Sequence, residues 1–177
     1  MRKAAIMDVL TGVMCLLRTK GHAYGRMELS GRFGLKFPNQ ISNQIEVRLA
    51  MNLGATHEEI EATIRAHPNG TCLFVTRGSC FLNIDGGELV PLVAGDFVFL
   101  RDETWYLRSD KNIAANKTVS AEQKVQYQLT KRLAIDSGGG APVSLIVGCF
   151  MFSSPESRFL VEQLPKVMHL KYDDVGP

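Results

Sequence analysis

Short apolar runs alternate with turn residues between positions 71 and 110, and this stretch dominates the hydrophobic pattern of the chain. The runs at 73–75, 81–82, 89–90 and 97–100 are rich in β-branched or aromatic residues and too short for helices. Each break between them contains glycine, which tolerates the positive φ of a tight hairpin. The pattern predicts an antiparallel β-meander of about four or five strands, the middle of a barrel or sandwich.

The residues before this stretch predict a helix, two strands and an insertion. Residues 7–18 carry an apolar stripe at helical spacing, and residues 23–29 and 32–37 predict a strand pair around Ser30 and Gly31. Residues 39–69 form an inserted segment between these strands and the β-rich stretch. Thr56 and Glu59 have the spacing of a capping box, so we expect a short surface helix in this inserted segment.

The residues after the stretch predict two helices and a further strand. Ser120 and Gln123 form a second capping box, opening a helix with Val125, Leu129 and Leu133 in line. Residues 136–140 are a glycine-rich turn, residues 143–152 predict a buried strand that closes the sheet, and residues 154–164 predict a helix. Residues 171–177 are polar and predict a linker.

Composition places the chain among soluble single-domain proteins. Its 177 residues, with 45% apolar and 21% charged, suffice for one core, and a net charge of +2 is too small for a nucleic-acid binder acting alone. No apolar run is long enough to span a membrane, and Asp8 interrupts the basic-then-apolar start that a signal peptide would need. The four widely spaced cysteines predict reduced, buried thiols in a cytoplasmic protein, with zinc or a disulfide framework as the alternative.

Several segments along most of the chain, in order and spacing, carry a resemblance to a known family. They are MDVLTGVMCLL, MELSGRFGLKFP, VTRGSCFLNIDGGELVPLVAGDFVFL, GGGAPVSLIVGCFMF and FLVEQLPKVMHL. Together they resemble the cupin-type N-terminal sensor domain of AraC-type transcriptional regulators. The resemblance implies a mainly β fold, a cupin jelly-roll (double-stranded β-helix) barrel with a few flanking α-helices. It implies one sensor domain over residues 1–170, with 39–69 longer than usual, and a linker at 171–177 toward a DNA-binding domain absent from this chain.

The same resemblance locates the positions that hold a metal in other cupins. Metal-binding cupins present two histidines and a glutamate on one strand, where this chain has Thr71, Leu73 and Arg77, and a third histidine where it has Tyr106. A hydroxyl, an isobutyl group, a guanidinium and a phenol do not replace imidazole and carboxylate ligands. We therefore expect no metal, no cofactor and no catalytic residue. The motifs of serine hydrolases, P-loop proteins and zinc proteases are also absent from the sequence.

The remaining chemistry predicts a ligand site lined by Thr71, Leu73, Arg77, Trp105 and Tyr106. Alternate residues of a strand share a face, as Thr71, Leu73 and Arg77 do. The spacing of the resemblance implies that this face is the barrel interior, with Tyr106 opposite. An interior Arg77 would anchor a carboxylate or phosphate; the alternative is an Arg77 at the rim, in water. For Trp105, stacking on a ligand competes with packing in the core.

These features lead to one functional hypothesis and two alternatives. The resemblance implies an effector-sensing and dimerisation domain that binds a small molecule and controls an absent helix-turn-helix domain, which alone would contact DNA. We expect dimerisation through a helical surface at 154–170, with Phe159, Val161 and Leu164 exposed. The alternatives are a stand-alone cupin that binds a small molecule or acts as a cofactor-free enzyme through Tyr106 and Arg77, and an interaction module without a ligand.

Overall fold

Two β-sheets make up most of the fold, which is a computed structural model describing residues 19–38, 51–56, 58, 70–84, 87–101, 103–152, 159 and 161–172. The helix that these residues describe over its whole length is α1 (Ala121–Thr130). The strands are β1 (Thr19–Gly31), β2 (Gly34–Phe37), β3 (Gly70–Arg77), β4 (Ser79–Ile84), β5 (Val90–Val93), β6 (Phe97–Leu100), β7 (Trp105–Arg108), β8 (Lys117–Thr118), β9 (Arg132–Ser137), β10 (Val143–Phe152) and β11 (Val167–Leu170).

The sheets face each other as the two walls of a roll. The first has the strand order β11-β6-β3-β10-β1-β9, and the second has the order β5-β4-β7-β2-β8. The expected mainly β architecture, consistent with a jelly-roll barrel, is confirmed. The predicted helix at 7–18 and most of the segment 39–69 lie outside the described residues.

The prediction of a simple meander is wrong, because β3 and β4 belong to different sheets. β4 pairs with β5, whereas β3 pairs with β6, so one hairpin lies within the other. The chain turns between the sheets at Gly78, whose φ is +78° and where a Cβ would lie 2.5 Å from the Pro142 carbonyl oxygen. The predicted pairing of β1 with β2 is also wrong, because these two strands belong to different sheets. β1 lies between β10 and β9, and β2 lies between β7 and β8.

Apolar side chains fill the space between the sheets. Leu35 and Leu107 of the second sheet and Leu73, Val75 and Leu145 of the first are completely buried. Strands such as β7 and β9 alternate buried apolar positions with more exposed ones, as expected for sheets with one covered face. The interior is therefore a hydrocarbon core over most of its length.

Helix α1 begins as predicted and ends earlier. The amide of Gln123 donates to Ser120 Oγ (3.2 Å), and the Ser120 amide donates to Gln123 Oε1 (3.0 Å), which completes the capping box. The helix ends at Lys131, whose φ of 56° is left-handed. Leu133, which was expected to continue the helix, lies instead in β9, parallel to β1.

Residues 167–170 also differ from the expected helical surface. They form the edge strand β11, antiparallel to β6. Of the preceding predicted helix, the residues at 159, 161 and 162 are described and helical. In this described part of the chain, no helix is both long and apolar enough to cross a membrane.

Two of the four cysteines can be described, and neither forms a disulfide. Cys80 is buried, and burial raises the pKa of its thiol to about 12, so it stays protonated at neutral pH. Cys72 is half-buried. These two residues agree with the predicted reduced thiols.

Candidate functional site

The strand registers bring a group of large apolar residues together at one end of the barrel, which we call the Trp105 end. Trp105, at the start of β7, lies opposite Phe37 on one side and Ile84 on the other. In the facing sheet, Thr71 near the start of β3 lies opposite Leu100 at the end of β6. The short connection from Leu100 to Trp105 keeps the two sheets together at this end.

The Trp105 end is apolar and only partly covered. The rings of Phe37 and Trp105 stack with their centroids 3.8 Å apart, and these residues keep 5% and 7% of their surface exposed. Ile84, Val90 and Val167 pack against the core but are only partly buried. The two rings cover each other, so the apolar surface left uncovered at this end comes from the partly buried aliphatic side chains. Partly covered apolar side chains beside a polar group are typical of the lining of a ligand site.

Two predicted site residues lie where expected. Leu73 is completely buried in the core. Thr71, two residues before it on the same strand, shares its face and is half-buried, so it lies nearer the Trp105 end. Its hydroxyl is the polar group that strand β3 contributes to this end of the interior.

Arg77 lies at the opposite end of β3, exposed to solvent. Six residues at about 3.3 Å each separate it from Thr71 by about 20 Å. Alternation along β3 breaks just before it, because Ser144 pairs with Arg77 while Leu145 pairs with Val75, which leaves Thr76 as an extra residue. The Thr76 hydroxyl donates to the Ser144 carbonyl oxygen (3.0 Å). The rim position in water is therefore the one Arg77 occupies, and an interior guanidinium anchor is ruled out.

The expectation that Tyr106 faces the interior is wrong. In β7, Trp105 and Leu107 are buried while Tyr106 and Arg108 are half-exposed, so Tyr106 lies on the outer face of the second sheet. Its neighbour there is Lys36, whose Nζ lies 5.7 Å from the ring centroid. The bulky apolar side chain of Trp105 takes the inward position, and strand alternation then turns Tyr106 outward.

The described side chains of the Trp105 end are mostly apolar, with the Thr71 hydroxyl as a polar group. Among the described residues, no three His, Cys, Asp or Glu side chains gather closely enough to hold a metal ion. Among all the residues that the structure describes, the buried polar ones are Asp96 and Ser144. Ser144 donates to Glu28 (2.5 Å) across the first sheet, at the end far from Trp105.

Asp96 forms a polar cluster that the sequence analysis missed. Its carboxylate accepts from the amides of Val93 (3.1 Å) and Tyr172 (3.1 Å) and contacts His169 Nε2 at 3.0 Å. Burial acts to raise the pKa of Asp96, but these hydrogen bonds and the His169 charge outweigh it and hold the pKa below its usual value. The turn Gly95-Asp96 signals the bond to Val93, whereas no local pattern signals partners more than seventy residues away.

Comparison with known proteins agrees with the cupin architecture. Residues 8–177 match the family described as cupin. Two relatives, from Streptomyces lividans and Streptomyces antibioticus, are assigned by name to the AraC-like transcription regulators. They are 25% identical to this chain over 169 and 166 residues. The matches cover 94% and 93% of this chain but 45% and 44% of the relatives, so the chain spans about half the length of the curated relatives it matches.

A solved structure, the protein YhaK from Escherichia coli, aligns over 60% of this chain and 34% of its own at 11% identity and a TM-score of 0.31. A score this low does not establish a shared fold. The resemblance seen in the sequence, to the cupin domain of AraC-type regulators, is confirmed by the family match and by the two relatives.

Proposed function

The chain belongs to the cupin family, and from that premise we propose that it is the effector-sensing domain of a transcriptional regulator. The names of the two relatives support a role in transcription. Their extra length supports a second functional part, which we propose to be a helix-turn-helix domain that makes the contact with DNA.

The partly covered Trp105 end is the observation that carries the ligand-binding proposal. Ile84, Val90 and Val167 leave apolar surface uncovered near the stacked rings of Phe37 and Trp105, and Thr71 adds one hydroxyl. A small, largely apolar molecule with a single hydrogen-bonding group fits this lining. A carboxylate or phosphate does not, because Arg77 lies in water at the far end of β3.

We propose binding rather than catalysis, without a metal or cofactor. The enzyme alternative depends on Arg77 and Tyr106 acting together as acid and base. Arg77 is exposed at one end of the first sheet, and Tyr106 lies on the outer face of the second. General acid–base catalysis needs both groups within hydrogen-bond reach of one substrate, which this separation does not provide.

A homodimer remains part of the proposal, with its surface revised. Val161, expected to be exposed, is buried against Phe99, and Leu164 is half-buried there. Phe159 keeps 63% of its surface exposed and remains available for a dimer contact. Because deleting 154–170 would remove β11, the sharper test is Phe159→Ser in analytical ultracentrifugation. An unchanged dimer would rule out this contact.

The ligand site is tested by thermal shift with a panel of small aromatic and aliphatic compounds. A compound that binds only the folded state raises the melting temperature. We expect Thr71→Phe, which fills the Trp105 end, to abolish the shift, and Arg77→Ala to leave it unchanged. Loss of the shift in Arg77→Ala, or its survival in Thr71→Phe, would move the site away from the Trp105 end.

A further inference from the structure

Strand β6 carries the last described part of the chain, residues 161–172, which we call the C-terminal segment. Within it, β11 pairs with β6 from Val167 opposite Leu100 to Leu170 opposite Phe97. β6 also pairs with β3 on its other edge. Within the described residues, β6 is therefore the strand through which the C-terminal segment joins the first sheet.

Arg101 holds the C-terminal segment at one end of β6. Its Nη1 donates to the carbonyl oxygen of Leu164 (3.0 Å) and to that of Glu162. Its backbone amide donates to the Lys166 carbonyl oxygen (3.0 Å), and Lys166 forms an ion pair with Glu103 at 2.9 Å. A guanidinium that donates to free carbonyl groups near the end of a helix satisfies acceptors that otherwise lack partners.

Asp96 holds the C-terminal segment at the other end of β6. It is 3% exposed, and its carboxylate joins the β5–β6 turn, through Val93, to His169 and Tyr172. Gly95 makes this contact close, since a Cβ there would lie 2.8 Å from the Tyr172 ring. One carboxylate makes all of these contacts, and hydrogen bonds to a charged acceptor are stronger than neutral ones. The attachment at this end therefore depends on the Asp96 side chain.

The two faces of β6 contact different parts of the molecule. Val98 and Leu100 point into the barrel core. Phe97 and Phe99 point to the other side, where they pack with Val161, Leu164 and Met168 of the C-terminal segment. A shift of β6 caused by a change in the barrel interior therefore acts directly on the C-terminal segment.

We propose that β6 couples the barrel interior to the C-terminal segment. Asp96 and Arg101 are the positioning residues that attach this segment to β6. A change in how the interior is filled moves β6 and weakens these two attachments. The biological use of this coupling rests on the proposed function, because a sensor must pass its state to the part of the protein that follows.

The attachments are tested by hydrogen exchange of the unliganded chain carrying Asp96→Asn or Arg101→Met. We expect exchange of the amides of residues 167–172 to accelerate about tenfold or more, from the loss of a charged hydrogen bond. Exchange in β1 and β10 should change little. An acceleration shared evenly by β1, β10 and the C-terminal segment, or none at all, would overturn the role of these residues.

The coupling is tested with a matched pair of core substitutions. Val98→Ala changes the interior face of β6, whereas Val143→Ala removes the same atoms from a buried position on β10. Both substitutions lower global stability, so the exchange rates of residues 167–172 are compared after correction for that loss. We expect only Val98→Ala to accelerate their exchange beyond it. Equal acceleration by both variants would overturn the coupling. Neither measurement uses an effector, so a failure here differs from a failure to find a ligand.

Discussion

At the scale of single residues, Asp96 shows how a buried carboxylate is retained in a largely apolar fold. Burial alone would favour its protonated form, yet two backbone amides and His169 lower its pKa. The same bonds that stabilise the charge also attach the C-terminal segment to the β5–β6 turn. Removing the charge therefore affects both stability and the position of residues 169–172.

This arrangement predicts a pH dependence that can be assigned to Asp96. Because its pKa is lower in the folded than in the unfolded state, its contribution is present above the unfolded pKa of about 3.9. It is lost as the pH falls through the folded pKa. We expect the stability difference between wild type and Asp96→Asn, from urea unfolding, to shrink as the pH drops from about 6 to about 3. A difference independent of pH would contradict the ionised role of Asp96.

At the scale of elements, helix α1 depends on its N-terminal cap. Ser120 and Gln123 satisfy each other's backbone amides, and the helix places Val125 and Tyr127 in the core. The Tyr127 hydroxyl donates to the Val147 carbonyl oxygen at 2.8 Å, which joins the helix to the first sheet.

We predict that Ser120→Ala lowers the free energy of unfolding by about 1 kcal/mol, since an amide of the first turn loses its acceptor. Ser120→Asp is the control, because aspartate caps equally well and should retain nearly all of the stability. Chemical denaturation of the three proteins gives the comparison. If the alanine and aspartate variants lose the same free energy, capping is not the cause.

The elements also show what the sequence could predict and what it could not. The capping box of α1, the β character of residues 71–110 and the strand at 143–152 follow from local patterns, and all three are present. Strand pairing depends on contacts distant in sequence, so local patterns did not reveal that Gly78 turns the chain from one sheet to the other. The position of Arg77 likewise depends on the bulge at Thr76, which only the register with β10 defines.

The candidate site was predicted in part for the same reason. Thr71, Leu73 and Trp105 lie in or near the interior, because alternation along each strand places them on its apolar face. Tyr106 was placed by family spacing, and alternation from Trp105 turns it outward. Sequence patterns do not reveal the Asp96 cluster, because His169 and Tyr172 lie more than seventy residues further along the chain.

At the scale of the whole molecule, the cupin fold keeps its two-sheet geometry with a hydrocarbon interior. Of the four residues that the sequence resemblance assigned to metal-ligand positions, Arg77 and Tyr106 do not face this interior. We propose that a small molecule binds at the partly covered Trp105 end, and that β6 links the barrel to the C-terminal segment with which it pairs.

The most direct test of this account is a fluorescence titration that uses Trp105, which is the one tryptophan in the chain. Small apolar compounds that raise the melting temperature should change its emission saturably, at one molecule per chain, and the change should disappear in Thr71→Phe but persist in Arg77→Ala. If no compound of such a panel raises the melting temperature, or if binding leaves the emission of Trp105 unchanged, the Trp105 end is not the ligand site and the account is wrong.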